Sequence, residues 1–316
     1  MLKSAASSLT KRMASTIVQS MLSTDINTTS EIKTTKEYHT VLLVINIVVL
    51  LSGTISLSLT MHTLKSASSS TTSIAVLNLI FAHFIFLVTV PFRIYYHVIG
   101  EWKLGLEWCK VVSSMIHIHM YMSFIFYVII LIMRLLTFYH KAAQLASFQR
   151  IHALLISAVV WMVVLVTVPC VIHFSYGKNS ENNNTTENKT LCFRFGNSIE
   201  SGAMVVNYII STLIVVVATA LTAFQANVLR VLCKKHRQGC TFQQDFGAQV
   251  KSMCFALIMV VCFIPYHMFR FHYLEHVQNL QGINEVLLSL TTFNCLDMLT
   301  FLGRRNCYMC FFGKTV

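Results

Sequence analysis

The sequence predicts an all-α protein: a bundle of seven membrane-spanning helices followed by a short, membrane-lying eighth helix. Three observations carry that prediction. Hydrophobic residues make up 55% of the 316 positions and charged residues only 11%, against roughly 25% charged in soluble domains, which excludes an ordinary soluble enzyme. Charge-free apolar stretches near the ~20 residues of a bilayer crossing recur along the chain. All three prolines, Pro91, Pro169 and Pro265, fall inside such stretches and none in a loop. A net charge of +12 would suggest nucleic acid in a soluble protein. Here basic loops beside anionic lipid account for it, and no nucleic-acid partner is expected.

Residues 1–38 form a polar, Ser/Thr-rich tail with no apolar run of signal-peptide length. Met13 and Met21 are alternative starts, and Asn27-Thr28-Thr29 is a glycosylation sequon. The apolar body, 39–303, contains the spans Val41–Met61, Ser73–Phe92, Val111–Met133, Ile151–Tyr176, Ser201–Leu229, Ser252–Phe269 and Val286–Leu296, the last continuing past Asp297 to Gly303. Each span is expected to be helical, because lipid leaves the backbone no other partner outside a closed barrel. Period-two alternation, the barrel signature, is absent. The loop between the fourth and fifth spans carries sequons at Asn183, Asn184 and Asn188, which place it, and with it the N-terminus, outside the cell. The excess of Lys and Arg on the other side agrees only in part, so the sequons decide the orientation. Of ten cysteines, Cys109 and Cys192 fall at the outer boundary, with Cys170 nearby but inside an apolar run. A Cys109–Cys192 disulfide is therefore expected. Residues 304–316 read as the eighth helix and tail, with Cys307 and Cys310 as palmitoylation sites beside Phe311 and Phe312.

The sixth span holds Cys262-Phe263-Ile264-Pro265-Tyr266-His267, with Arg270 three residues on. Phe263, His267 and Arg270 stand at i, i+4 and i+7 and share one helical stripe that grows more polar towards its end, as for a helix lining a water-filled cavity. That run resembles the sixth helix of rhodopsin-like G-protein-coupled receptors, within them the nucleotide- and lipid-receptor branch. Cys109 and Arg134, Trp161, Pro91-Phe92 and Asn294-Cys295-Leu296-Asp297 match family landmarks in the third, third, fourth, second and seventh helices. The resemblance implies a plasma-membrane receptor that passes an extracellular ligand's signal to a heterotrimeric G protein. Within it, Arg134, Asp245, Phe263 and Pro265 would serve coupling and activation. The chain departs from the family pattern at Gly53-Thr54, at His83 in place of a second-helix Asp, at Met133 before Arg134, at Phe263 in place of Trp, and at Asp297-Met298-Leu299-Thr300-Phe301, which lacks the usual Pro and Tyr.

Two sites follow. His83 and Asp297 would face each other as a central polar pair where the family holds a sodium ion; the plainer alternative is a neutral His83 bonded to backbone or water. At the outer end, Arg93 and Arg270, with His117, Tyr121, Tyr266 and His267, would contact ligand. Guanidinium groups suit phosphate or carboxylate, so the ligand expected is anionic or lipidic. Ile116 stands where amine receptors of the family carry an Asp, which disfavours a cationic amine. The alternative is that the arginines snorkel to the interface or pair with Glu101, Glu275 or Glu285. His117 and His119 point to different helix faces and read as packing or pocket lining, so no metal or other cofactor is expected. No catalytic constellation is visible, and an enzyme is not expected. A receptor-like scaffold without its own ligand, or a transporter, remain as alternatives.

Overall fold

The computed structural model describes residues 37–62, 71–139, 146–175, 192–193, 201–236 and 243–298. They form seven helices: α1 (Glu37–His62), α2 (Thr71–Ile99), α3 (Leu106–Tyr139), α4 (Ala146–Ser175), α5 (Ser201–His236), α6 (Gln243–Tyr273) and α7 (Val277–Thr291), which runs into a 3₁₀ helix, Thr292–Met298. The first six are long and apolar enough to cross a membrane. The seventh is a composite. Its α part and 3₁₀ part together reach roughly 35 Å at 1.5 and 2.0 Å per residue, enough to cross a ~30 Å hydrocarbon core. The tail, the sequons at Asn27, Asn183, Asn184 and Asn188, and Cys307 and Cys310 with the eighth helix lie outside the described residues.

The bundle is apolar outside as well as inside. On α1, Val41, Val44, Val48, Leu51, Ile55 and Leu59 recur at three- and four-residue steps and are exposed, and on α4 Ile151, Leu155, Val159, Met162 and Val166 do the same. Such stripes far exceed the isolated apolar patch a soluble monomer tolerates, and they fit hydrocarbon as the surrounding solvent. The protein is a multi-pass membrane protein.

Helix α3 is the axis. Buried side chains occur on all its faces, from Val112 and Ile116 through Met120, Phe124 and Tyr127 to Leu131, and it packs against α2, α4, α5, α6 and the 3₁₀ segment. Helix α2 is tied to α4 by polar contacts within that core. Trp161 Nε1 donates to Asn78 Oδ1 (2.8 Å), and Asn78 Nδ2 donates to Ser157 Oγ (3.1 Å). Helix α1 approaches at Gly53, where an added Cβ would lie 2.9 Å from Leu87 Cδ2 and 3.3 Å from Cys295 Sγ. Ser56 Oγ then donates to the Cys295 carbonyl at 3.3 Å.

The helices run past their charge-free stretches at one end or both, because a helix does not stop where hydrophobicity does. The seventh differs most: it begins at Val277, nine residues before the expected Val286, and tightens at Thr292. Two hydroxyls accompany the change, Thr291 donating to the Leu288 carbonyl (2.6 Å) and Thr292 to the Ser289 carbonyl (2.5 Å). In the 3₁₀ turn residues i and i+3 eclipse, so Asn294 and Asp297 point the same way, into the bundle, and both are fully buried.

Candidate functional site

The α2–α3 connection builds one wall of a cavity. Gly100 (φ +78°) ends α2 in the left-handed conformation that costs glycine little, its N–H bonded to the Tyr96 carbonyl at 2.8 Å. Trp102 folds back and donates to the Gly105 carbonyl (2.7 Å), burying its ring against Cys109 and Cys192. These two cysteines are joined, closing a separation of 83 residues. The disulfide carries Phe193 (φ +70°), a left-handed residue that is not glycine, under the Arg93 guanidinium, whose carbon lies 4.7 Å from the ring centroid.

The cavity has a volume of about 350 Å³, within the range of small-molecule sites. Arg93, His117, Tyr121 and Arg270 are in its wall; Tyr266 and His267 are not. Those two are buried behind it. Tyr266 Oη accepts from Arg270 Nη1, and His267 Nδ1 meets Ser211 Oγ at 3.2 Å. Arg270 is further fixed by Asn207 Oδ1, which accepts from Nη2 (2.6 Å) and Nε (3.1 Å). His117 Nδ1 donates to the Ser113 carbonyl (3.0 Å), which leaves Nε2 as an acceptor when the ring is neutral. Arg93 is 1% exposed and stands 3.8 Å from Glu285, which is also 3.8 Å from His97. Its Nε and Nη1 are buried and have no hydrogen-bond partner among the described residues.

The charged wall residues are thus two guanidiniums and one carboxylate, Glu285. The rest of the wall is mainly apolar: Val163, Val164, Val168, Val171 and Ile172 from α4, and Val206, Ile210, Leu213 and Ile214 from α5. Val163, Val206 and Leu213 are also exposed on the flank of the bundle, and α4 and α5 barely touch. The wall there reaches the apolar flank of the bundle.

Below the cavity lies a second polar site. His83 Nε2 is 3.3 Å from Asp297 Oδ1 and 3.4 Å from Oδ2, and its Nδ1 is 2.8 Å from His119 Nε2. Tyr127 Oη donates to Asp297 Oδ2 (2.5 Å) and to the Asn294 carbonyl (3.1 Å). All four side chains are buried. One proton arrangement satisfies every contact without charging an imidazole: His119 Nε2–H donates to His83 Nδ1, and His83 Nε2–H donates to the carboxylate. Phe86 stacks on His119 at 4.3 Å, and Phe263 of α6 packs on Phe124 and on Tyr127. From sequence, His83 pairs with Asp297, while His119 reads as packing or pocket lining and Tyr127 is not singled out. The signal for both was helical register: on α3, Ile116, His119 and Ser123 stand at three- and four-residue steps, and Tyr127 continues them.

Arg134 is half-buried at the end of α3 away from the cavity. Asp245 lies in the first turn of α6, with its side chain outside the described residues. Pro265 lies inside α6, one helical turn before Phe269.

A seven-helix membrane bundle with a half-enclosed cavity at one end and a buried polar centre below it has the architecture of a transmembrane receptor. A family model described as 7 transmembrane receptor (rhodopsin family) matches residues 46–301, and the chain belongs to that family. It is 34% identical over 284 residues to the human Probable G-protein coupled receptor 141, covering 83% of this chain and 92% of that protein. It is 26% identical over 251 residues to the Probable G-protein coupled receptor 34 of Pan troglodytes, covering 74% of this chain and 64% of that one. Lysophosphatidic acid receptor 6 of Gallus gallus is 29% identical over 174 residues, covering 55% and 54%. These relatives are receptors, not enzymes.

Proposed function

We propose that this receptor binds an anionic amphiphile with a single apolar chain, its head group held by Arg93 and Arg270 and its chain lying between α4 and α5. The observation that carries the reading is the pairing of two buried guanidiniums with an apolar wall open to the membrane side. A phosphate or carboxylate head supplies the acceptors that Arg93 Nε and Nη1 lack. The gap between α4 and α5 admits a chain from the bilayer. One relative's name, a lysophosphatidic acid receptor, supports the same chemistry.

The cavity end faces the cell exterior in this reading, because the disulfide that closes it persists in an oxidising compartment. The tail 1–38 is then extracellular and 304–316 cytoplasmic, at the plasma membrane. Ligand would bias two packings of the bundle through Tyr127 and Phe263. Arg134, at the opposite end, would meet a heterotrimeric G protein, with Pro265 allowing α6 to bend. Arg270→Ala should weaken an anionic ligand by about 2 kcal/mol, ~30-fold. The test is mass-spectrometric identification of lipid co-purifying with the wild type and with an Arg93→Ala/Arg270→Ala variant. Enrichment of anionic single-chain lipid in the wild type alone supports the reading. Equal recovery from both, at equal receptor yield, contradicts it.

A further inference from the structure

The connection between α6 and α7 holds a cluster that the cavity does not use. His272 lies in the last turn of α6, and Glu275 and His276 follow in the bend before α7; all three side chains are exposed. Backbone bonds set the bend: Leu274 N–H to the Arg270 carbonyl (3.1 Å), Glu275 N–H to the His272 carbonyl (3.3 Å) and His276 N–H to the Tyr273 carbonyl (3.0 Å). The chain therefore keeps turning after α6 ends, and positions i, i+3 and i+4 stay on one side. The two imidazoles lie 4.7 Å apart with a 37° tilt. One ligand atom from each of the three residues falls within 4.8 Å of the others.

Two imidazoles and a carboxylate form a donor set that Zn²⁺ takes with its fourth position open, whereas cations preferring oxygen alone do not select imidazole. Zn–N and Zn–O bonds of about 2.0–2.2 Å put tetrahedral ligands roughly 3.4 Å apart. Exposed side chains reach that spacing by rotation, without moving the backbone. We propose that His272, Glu275 and His276 form a three-ligand site for Zn²⁺ or a neighbouring first-row divalent cation, and that filling it fixes the cavity end of α6 to the start of α7. The sequence-based expectation of no metal rests on His117 and His119, which point to different helix faces, and does not consider this cluster.

The site adjoins the cavity. Tyr273, between His272 and Glu275, is in the cavity wall, and Arg270, whose carbonyl holds the bend, presents its guanidinium there. A bound cation also adds positive charge near the mouth, so Zn²⁺ is expected to strengthen an anionic ligand. That coupling rests on the ligand reading above; the metal site itself does not.

The test is Zn²⁺ uptake by the full-length receptor in nanodiscs, measured by equilibrium dialysis, with Co²⁺ absorption reporting coordination. The wild type is expected to take up one equivalent, with tetrahedral-type Co²⁺ bands. His272→Ala and His276→Ala should each weaken uptake ~10-fold or more. His39→Ala is the control for the other imidazole pair at this end, His39 and His97, whose Nδ1 atoms are 3.3 Å apart; it should leave uptake unchanged. Undiminished uptake in the His272→Ala/His276→Ala double variant, loss in His39→Ala alone, or no wild-type uptake overturns the proposal. Binding of the metal without any effect on anionic lipid would leave the site standing and overturn the coupling.

Discussion

Replacing His83 by Leu should open the lower half of the bundle. Asp297 is fully buried, and its polar contacts are His83 at 3.3–3.4 Å and Tyr127 at 2.5 Å. Removing the imidazole leaves a carboxylate with one strong donor and strands His119 Nε2 as well. Breaking a buried pair in this way typically costs 3–5 kcal/mol. A lower value near 3 kcal/mol is expected here, because Tyr127 remains. Cys295 offers the readout: it is a free cysteine, 1% exposed, two residues before Asp297. Its thiol reacts only when the 3₁₀ segment opens, so 3 kcal/mol of local destabilisation should speed its labelling roughly 100-fold. Peptide mapping by mass spectrometry separates Cys295 from the other thiols. Adding Asp297→Asn should recover much of the loss, giving a coupling of about 2 kcal/mol in the double-mutant cycle. Labelling of Cys295 that is unchanged in His83→Leu, or single-mutant costs that simply add, would refute the pairing.

Three further outcomes are expected. Cys109→Ser or Cys192→Ser releases an 83-residue closure and should cost roughly 2–5 kcal/mol, read as reduced surface delivery; surface levels and thermal stability equal to wild type would contradict this. Glu285→Gln frees Arg93 from its 3.8 Å partner and should tighten an anionic ligand by about 1 kcal/mol, roughly fivefold, in equilibrium binding. Asp245→Ala should raise ligand-independent nucleotide exchange about fivefold if Asp245 pairs with Arg134 across the end of the bundle away from the cavity, a contact worth about 1 kcal/mol, while Arg134→Ala should abolish coupling; identical basal exchange in wild type and Asp245→Ala rules the pair out.

The spans were legible because lipid forces backbone bonds inward and apolar side chains outward, so the sequence shows long charge-free runs wherever a helix crosses. The positions of Arg93 and Arg270 in the cavity wall followed from helical register and from their places at the ends of α2 and α6. Register alone could not say that Tyr266 and His267, on the same helix as Arg270, stand behind the wall. Their placement depends on partners elsewhere: His267 meets Ser211 of α5, and Tyr266 meets Arg270, which Asn207 of α5 fixes. The 3₁₀ segment was hidden too, since it depends on threonine hydroxyls competing for carbonyls rather than on hydrophobic pattern. In an α-helix Asn294 and Asp297 would stand about 60° apart, whereas the 3₁₀ turn brings them into line; the link through Tyr127 was legible only as a continuation of the α3 register. The sparse contact between α4 and α5 is likewise a property of packing, invisible in either helix by itself.

The most direct test of the central claim is guanine-nucleotide exchange by purified receptor and heterotrimeric G protein in nanodiscs. The receptor is challenged with single-chain phospholipids that differ only in head-group charge. The account predicts that anionic heads stimulate exchange in the wild type, and that neutral zwitterionic heads do so far less. Arg93→Ala and Arg270→Ala should each shift the anionic response by ~30-fold at matched receptor amounts. Stimulation independent of head-group charge, or a response to anionic lipid that both substitutions leave intact, would contradict it.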